Sequence, residues 1–408
     1  TAGDILIGMD GDFTASKWKG RKALLNQRVC RLSPISDCID EKFFFLCLQP
    51  FLNAINAETS SVTVKHLSSK TIGDIPLPLP PLNEQKRIVT KIEELFSELD
   101  NGIASLKTAQ ENLKVYRQAV LKHAFEGKLT AQWREENKDK LETPEQLLAR
   151  IQQEREKRYQ EQLAEWEKAV AKWEANGKEE KKPSKPKMPQ RTSLGLVDAI
   201  CIPNEWTYSP AGNLNTDIFD GPFGSNLKSS DYVETGIRVI RLENIGEMTF
   251  IKDKYSYVSE LKYNQLKQHT VFGGDIIFSS FITEGIRIAI LPSSIDKAIN
   301  KADCFCVRIM GETYSPRFLA LYLSSRAAYK QIESEIHGVG RPRINTSQLK
   351  SFVIPICSID EQNQILSEID TKISEIDALE RSIDEQLLRT EVLQQSILKK
   401  AFSGQLVP

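Results

Sequence analysis

What this chain lacks narrows it first. No apolar run approaches the roughly 18 residues that span a bilayer, Phe43 to Leu48 being the densest, and no secretory signal opens the sequence. These absences read as a cytoplasmic protein with no membrane attachment. Histidine is scarce: His66, His123, His269 and His337 have no second His or Cys at ligand spacing, so no metal site is expected. Of the seven cysteines only Cys304 and Cys306 lie close, at a spacing of neither a zinc knuckle nor a redox motif. Buried free thiols are expected. A Walker A pattern, the Asn-Pro-Pro-aromatic motif of an adenine methyltransferase and a glycine fingerprint opening a helix after a strand are all missing. Excess charge is missing too: 54 Lys and Arg stand against 55 Asp and Glu, unlike a free-standing DNA-binding domain, which is strongly basic.

What is present is a repeat. Residues 84–129 recur at 361–406 with an offset of 277, no gap and 16 of 46 positions identical. The identities include Glu84-Gln85 with Glu361-Gln362, Ala124-Phe125 with Ala401-Phe402, and Gly127 with Gly404. Gly3-Asp4-Ile5-Leu6-Ile7 likewise matches Gly274-Asp275-Ile276-Ile277-Phe278, so the sequence is expected to start part-way through its first copy. A chain that contains itself twice suits pseudo-twofold symmetry and a two-sided partner.

Each copy has the same order of parts. Short apolar runs punctuated by Gly, Pro and Asn read as strands (Ile276 to Ser279, Ile286 to Leu291, Phe305 to Ile309). A short helical stretch follows, Phe43 to Leu52 or Phe318 to Gln331, then a polar loop and an apolar-proline exit. A long helix closes the copy, with Asn83 or Asp360 as the expected N-cap and Gly127 or Gly404 at its end. Apolar residues step by four and three through Ile88, Ile92, Leu95, Leu99, Leu106, Leu113, Tyr116 and Val120, and through Ile365, Ile369, Ile376, Leu379, Ile383, Leu393 and Ile397. This is heptad spacing. A helix of about 39 residues is roughly 60 Å long, so the two stripes most economically bury each other. Helices packed each on its own domain remain the alternative. The expected fold is α+β, two globular domains separated by a pair of long antiparallel coiled-coil helices. Between the copies, residues 131–190 carry 14 Lys and Arg against 13 Asp and Glu. They read as a solvated helix followed by a flexible tail from Lys178 to Gln190, either a spacer or, through Trp166 and Trp173, a contact face.

The order "IPLPLPPLNEQKRIV", long helix, "RQAVLKHAFEGKLTAQWREE", "IPNEW", "INTSQLKSFVIPICSIDEQ" and a final helix ending "SILKKAFSGQL" resembles the specificity subunit of type I restriction and modification enzymes over essentially the whole chain. The resemblance implies a non-catalytic reader of double-stranded DNA. Two target-recognition domains would each read half of a bipartite sequence, with the helices as a ruler for the spacer. Two methyltransferase subunits and restriction/translocase subunits would be the partners, and S-adenosylmethionine, ATP and Mg would sit on them. The parts become residues 1–82, the C-terminal part of recognition domain 1; 83–130, the first long helix; 131–202, a charged helical linker and flexible tail; 203–358, recognition domain 2; and 359–408, the second long helix.

Local clusters are the candidate DNA contacts. Copy one offers Lys17, Lys19, Arg21 and Lys22 around Trp18 and Gly20, then Lys65 and His66. Copy two offers Ser225, Asn226 and Lys228 in a turn-rich loop, Arg238, Arg241 and Asn244 on and after a strand, and Arg341, Arg343 and Asn345 in the late loop. Arg bridges O6 and N7 of guanine and Asn bridges N6 and N7 of adenine. Along the strand Arg238 takes the exposed parity and Arg241 the opposite one, so one of the two is expected to be structural. The competing readings are a coiled-coil scaffold that binds proteins rather than DNA, and an enzyme whose site carries no visible motif.

Overall fold

The computed structural model describes residues 1–33, 36–58, 65–178, 182–193, 201–283, 285–333 and 342–407. The chain divides into two compact units, Thr1–Lys114 with Asp377–Pro408, and Val115–Ile376. Arg341 and the rest of the glycine loop before it lie outside the described residues.

In the first unit β1 (Ile5–Gly8) lies between β2 (Ala15–Lys17) and β3 (Val29–Leu32), antiparallel to both. Alternate residues of β1 face inward: Ile5 and Ile7 are buried with Phe13, Leu48, Leu52, Leu67 and Ile72. The helix α1 (Glu41–Glu58) is longer than its apolar run suggested, and the side chain of Asp40 caps it through the amide of Phe43 at 3.0 Å. A short α2 (Ser69–Gly73), capped by Ser68, precedes α3 (Leu82–Phe125).

The second unit opens on α4 (Ala131–Glu136) and α5 (Pro144–Ala175), the latter started by a Thr143/Gln146 capping box with Pro144 in its first turn. Strands β4 (Thr207–Pro210), β5 (Thr216–Phe219), β6 (Tyr232–Val233), β7 (Ile237–Ile240) and β8 (Tyr257–Val258) follow, then α6 (Glu260–Gln265) and strands β9 (Thr270–Val271), β10 (Ile276–Ser279), β11 (Ile288–Ile290), β12 (Ala298–Asn300) and β13 (Cys304–Ile309). After them come α7 (Pro316–Leu323), α8 (Arg326–Glu333), α9 (Thr346–Ser351), β14 (Val353–Ile356) and α10 (Ile359–Phe402). One antiparallel sheet runs β11-β10-β13-β5; a second, β6-β8-β7-β12-β9, has a parallel pair at β7 and β12; β14 pairs with β4. Ile277, Cys304 and Cys306 pack with Ile240 and Val271 in one core, and Phe278 and Phe305 enter a larger one with α7 and β14.

The order β2-β1-β3 reproduces β11-β10-β13, both antiparallel. The helix seams repeat as well. In the first unit Ile88 and Ile92 of α3 share a cluster with Ile397 and Ala401 of α10, and Gln110 donates to Asp384 at 2.7 Å, an antiparallel pairing. In the second, Ala124 and Phe125 share one with Ile365 and Ile369. Phe402 meets Phe43 edge-on at 5.4 Å in the first unit, and Phe125 meets Phe318 edge-on at 5.3 Å in the second.

Of the expected seam, Ile88, Ile92, Val120, Ile365, Ile369, Ile376 and Ile397 are buried, while Leu99, Leu106 and Ile383 are half-buried. Tyr116, Leu379 and Leu393 are exposed instead, because the inward heptad positions next to them belong to Arg117, Glu380 and Gln394. The long helices start one residue ahead of the expected caps: α3 begins at Leu82, and α10 is capped by Ser358, whose hydroxyl accepts from the amide of Glu361 at 3.2 Å.

Two further expectations change. Leu147, Ile151 and Arg155 bury the first half of α5 in its unit, so it is a core element as well as a charged one. The tail is held rather than loose: residues 182–193 lie along α5, with Trp166 donating to the carbonyl of Pro183 at 3.0 Å and Arg155 to that of Gln190 at 3.3 Å. All seven cysteines are free; Cys47, Cys304, Cys306 and Cys357 are buried, Cys30 is half-buried, and Cys38 and Cys201 are exposed. No described helix is long and apolar enough to cross a membrane.

Candidate nucleic-acid interface

The central strand of each unit ends at the same backbone construction. Beyond β1 the amide of Met9 donates to Arg28 carbonyl oxygen, Leu67 donates to Met9 and Gly11 to Lys65. Beyond β10 the amide of Ser280 donates to Asp303, Ile344 to Ser280 and Ile282 to Pro342. An isolated antiparallel bridge joins Asp10 to His66 in one and Phe281 to Arg343 in the other. The residue after each bridge leads to a capped short helix: Ser68 caps α2 and Asn345 caps α9.

Three side chains meet at this place in each unit, and their chemistry differs. In the first, the Asp10 carboxylate accepts from His66 Nδ1 at 2.7 Å and from Arg28 at 3.1 Å. The hydrogen bond from His66, helped by Arg28, holds the Asp10 carboxyl below its ordinary value. In the second, Asp303 faces Arg343 at 3.4 Å, and the guanidinium stacks on the Phe281 ring, 4.1 Å from its centroid. Ser280 donates to the same Asp303 oxygen at 3.0 Å. Asp303 has φ of 70°, a left-handed conformation uncommon outside glycine and of the kind that gathers at functional sites. Side chains of His66, Arg28 and Arg343 are all more than half exposed. Donors and acceptors of both kinds are thus presented to solvent on a fixed backbone, which is what direct readout of a base edge requires.

In the second unit a further loop borders this triad. Asp220 accepts from the amides of Gly221 and Asp303 at 2.7 and 3.0 Å, with its carboxyl pushed up by burial. Gly221 lies so close to Lys301 that a Cβ would fall 2.2 Å from its carbonyl carbon, so only glycine fits. Leu227 is buried and Phe223 accepts from the amides of Asn226 and Leu227. The turn therefore holds Ser225, Asn226 and Lys228 at the surface beside a two-thirds exposed Phe223.

Other sequence candidates are placed differently. Arg238 is sandwiched between Phe250 and Tyr255 and donates to the carbonyl oxygens of Lys252 and Lys254. The expected exposed parity fails there because a loop folds over the strand. Arg241 pairs with Glu243 at 3.0 Å and stays partly open. Asn244 is buried and its amide bonds to Arg241, Ile251 and Lys254, which removes it from any base edge. Asn345 spends its side chain as a cap.

In the first unit Lys17 pairs with Glu41 and Lys65 donates to the carbonyl of Asn56, whereas Lys19, Arg21 and Lys22 are exposed. Trp18 bonds back to Arg21 and shares backbone bonds with Gly3 and Asp4. This basic loop therefore lies at the start of β1 and His66 at its far end. Sequence reasoning missed Asp10, Arg28, Phe281 and Asp303. The Gly3-Asp4 match pointed to them, but the offset between copies drifts from 271 at the central strand to 277 at the helices.

Among the described residues no group of three or more His, Cys, Asp or Glu is placed to hold a metal ion.

The family model for the type I restriction modification DNA specificity domain matches residues 1–108 and 229–389. The EcoBI specificity subunit of Escherichia coli, from a type I restriction enzyme, is 32% identical over 405 residues, 99% of this chain and 73% of that protein. The EcoDI specificity subunit of the same species is 25% identical, over 98% of this chain and 78% of its own length. Among solved structures, the HsdS subunit from Thermoanaerobacter tengcongensis shares the fold, with a TM-score of 0.53 at 17% identity over 99% of this chain and 81% of that one. A chain solved in work on type I R-M complex assembly and conformational transition gives a TM-score of 0.59 at 17% identity, covering 99% of this chain and 82% of its own.

Proposed function

The chain belongs to the type I restriction-modification DNA specificity family, and we propose that each of its two units reads one half of a bipartite double-stranded DNA target. One observation supports this above the rest: the same order of three strands gathers, around the same backbone bridge, Asp10, Arg28 and His66 in one unit and Phe281, Asp303 and Arg343 in the other. A reader of two unlike half-sites needs that combination of constant frame and varied side chains. The remaining sequence candidates at the surface, Lys19, Arg21, Lys22, Ser225, Asn226 and Lys228, supply flanking contacts, largely to phosphates.

The paired helices set the spacer between the half-sites and dock two methyltransferase subunits. Apolar side chains at the helix surface support the docking: Leu388 and Val392 are each 64% exposed in the first unit, and Val115 is 66% exposed in the second. The chain supplies the address and no reaction. S-adenosylmethionine, ATP and Mg belong to the methyltransferase and restriction/translocase partners, and the assembly works in the cytoplasm. A map of methylated adenines with the gene intact and deleted tests the reading. Loss of methylation at one bipartite motif is the expected result, and an unchanged map refutes it.

A further inference from the structure

The second half of α5 belongs to no core, yet its surface is covered. Leu163, Trp166, Val170 and Trp173 form a half-buried stripe at helical spacing, and residues 182–193 run back along it. Exposure along that return segment has a period of three: Pro183, Pro186, Pro189 and Thr192 are half-buried and every residue between them is exposed. Three residues per turn is the period of a polyproline II helix, with one face on α5.

The register is set by two aromatic steps. Lys182 stacks on Trp173 at 5.7 Å and Lys185 on Trp166 at 5.6 Å. Seven residues of α-helix advance about 10.5 Å, and three residues of polyproline II advance about 9.3 Å, so one lysine of this segment falls on each tryptophan, with Lys178 just past the end of α5 also over Trp173 at 5.6 Å. The far end is tied into the body of its unit: Arg155 donates to the carbonyl oxygens of Gln190 and Gly212, and Thr192 and Asn213 exchange two hydrogen bonds of 2.8 Å. Fixed this way, Lys182, Lys185, Lys187 and Arg191 lie exposed on a segment that contains no Asp or Glu. Among the described residues none of the four forms an ion pair.

We propose that residues 182–193 are a cationic rail that holds the phosphate backbone of duplex DNA outside the bases that are read. Charge complementarity is direct, and point charges on long stems are what phosphates take. An acidic protein surface fits less well, because stable protein interfaces need buried aromatic or Arg anchors, and here both tryptophans already lie beneath lysines. The rail is built into the unit that carries the Arg343 triad, so it moves with the reading surface. The inference rests on the proposed DNA-reading function.

The test uses the full chain with its methyltransferase subunits and two labelled duplexes, one with the mapped methylation motif and one scrambled. Binding is titrated from about 50 to 300 mM salt, the range where counterion release dominates. For the K182Q/K185Q/K187Q/R191Q variant, the slope of log affinity against log salt is expected to become shallower on both duplexes. The change is about 0.9 per phosphate lost, up to about 3.6, with the ratio of target to scrambled binding preserved. The charge-keeping K182R/K185R/K187R variant retains the slope. An unchanged slope with target preference intact overturns the rail and leaves the reading function standing. Loss of subunit assembly with an unchanged slope assigns the segment to a protein partner and also overturns it. Wild-type protein that binds neither duplex overturns both.

Discussion

Replacing Arg134 with Ala strands a carboxylate in the core of the second unit. Glu361, in the first turn of α10, is 1% exposed and accepts from Arg134 at 2.8 Å, from Thr130 at 2.8 Å and from Trp206 at 2.8 Å. Arg134 also bonds to the carbonyl of Gly127 and stacks on Trp206. The cluster thus ties the exit of α3 to the start of α10. Gly127 has φ of 65° and leaves no room for a Cβ between Pro203 and Arg134. Breaking a buried pair from one side costs about 3–5 kcal/mol; because Thr130 and Trp206 remain as donors, the expected loss for R134A is about 3 kcal/mol. Replacing both ions by Met should recover part of it, since an apolar pair strands no charge, although Thr130, Trp206 and the Gly127 carbonyl then lose their partners. The aligned Glu84 is half-buried, with no such cluster among the described residues, so E84Q should stay within about 0.5 kcal/mol. Urea titration followed by hydrogen exchange resolves the units, with peptides from residues 353–369 reporting the second and 41–58 the first. A cost below about 1 kcal/mol for R134A, or no recovery in R134M/E361M, refutes the account of the cluster.

Gln85 and Gln362 are both fully buried and each joins the start of its long helix to three backbone groups, those of Asp40, Cys38 and Pro80 or of Ser315, Thr313 and Cys357. Replacing either with Leu should cost its own unit about 2–3 kcal/mol from stranded backbone groups, read by the same exchange experiment. R343Q or D303N should alter methylation specificity at one half-site, and H66Q or R28Q at the other, by about 1–3 kcal/mol per base pair in competition binding. Arg317 hydrogen-bonds to Asp370, an exposed pair, and holds its carboxyl below the ordinary 3.8. That contribution, about 0.5 kcal/mol, is present above the ordinary value and lost as pH falls through the lowered one. R317A and wild type should therefore differ by a constant amount from about pH 7 to about 5 and converge below about 4 in acid denaturation. One heptad inserted after both Leu106 and Ile383 should lengthen the spacer by about 10.5 Å, roughly 3 base pairs, with unchanged half-sites.

Periodicity made the long helices legible because a seam repeats over many turns, whereas Tyr116, Leu379 and Leu393 have the apolar type of a seam residue without its position. Arg117 and Glu380 occupy seam places with long stems, which only the packed structure reveals. Asn244 and Arg238, which bond to backbone carbonyls, are not legible for a related reason: a polar side chain looks the same in sequence whether it meets a base or satisfies its own backbone. The tail after Gly177 has the composition of a flexible linker, but its proline period matches a tryptophan period on another element, and a composition reading does not contain that match.

The two copies differ where difference costs little. Gln85 and Gln362 are buried, as are Phe43 and Phe318, which face Phe402 and Phe125; changing either class strands polar groups or opens a cavity worth several kcal/mol. At the ends of β1 and β10 the bridge is made by backbone alone, and of the side chains gathered there His66, Arg28 and Arg343 are more than half exposed while Asp10, Asp303 and Phe281 are partly exposed. Substitution of such surface groups typically moves stability by no more than about 0.5 kcal/mol. The fold can therefore hold Asp10, Arg28 and His66 in one place and Phe281, Asp303 and Arg343 in the other without repacking. A change of half-site requires only new side chains on an old bridge, and the second unit is free to change without the first.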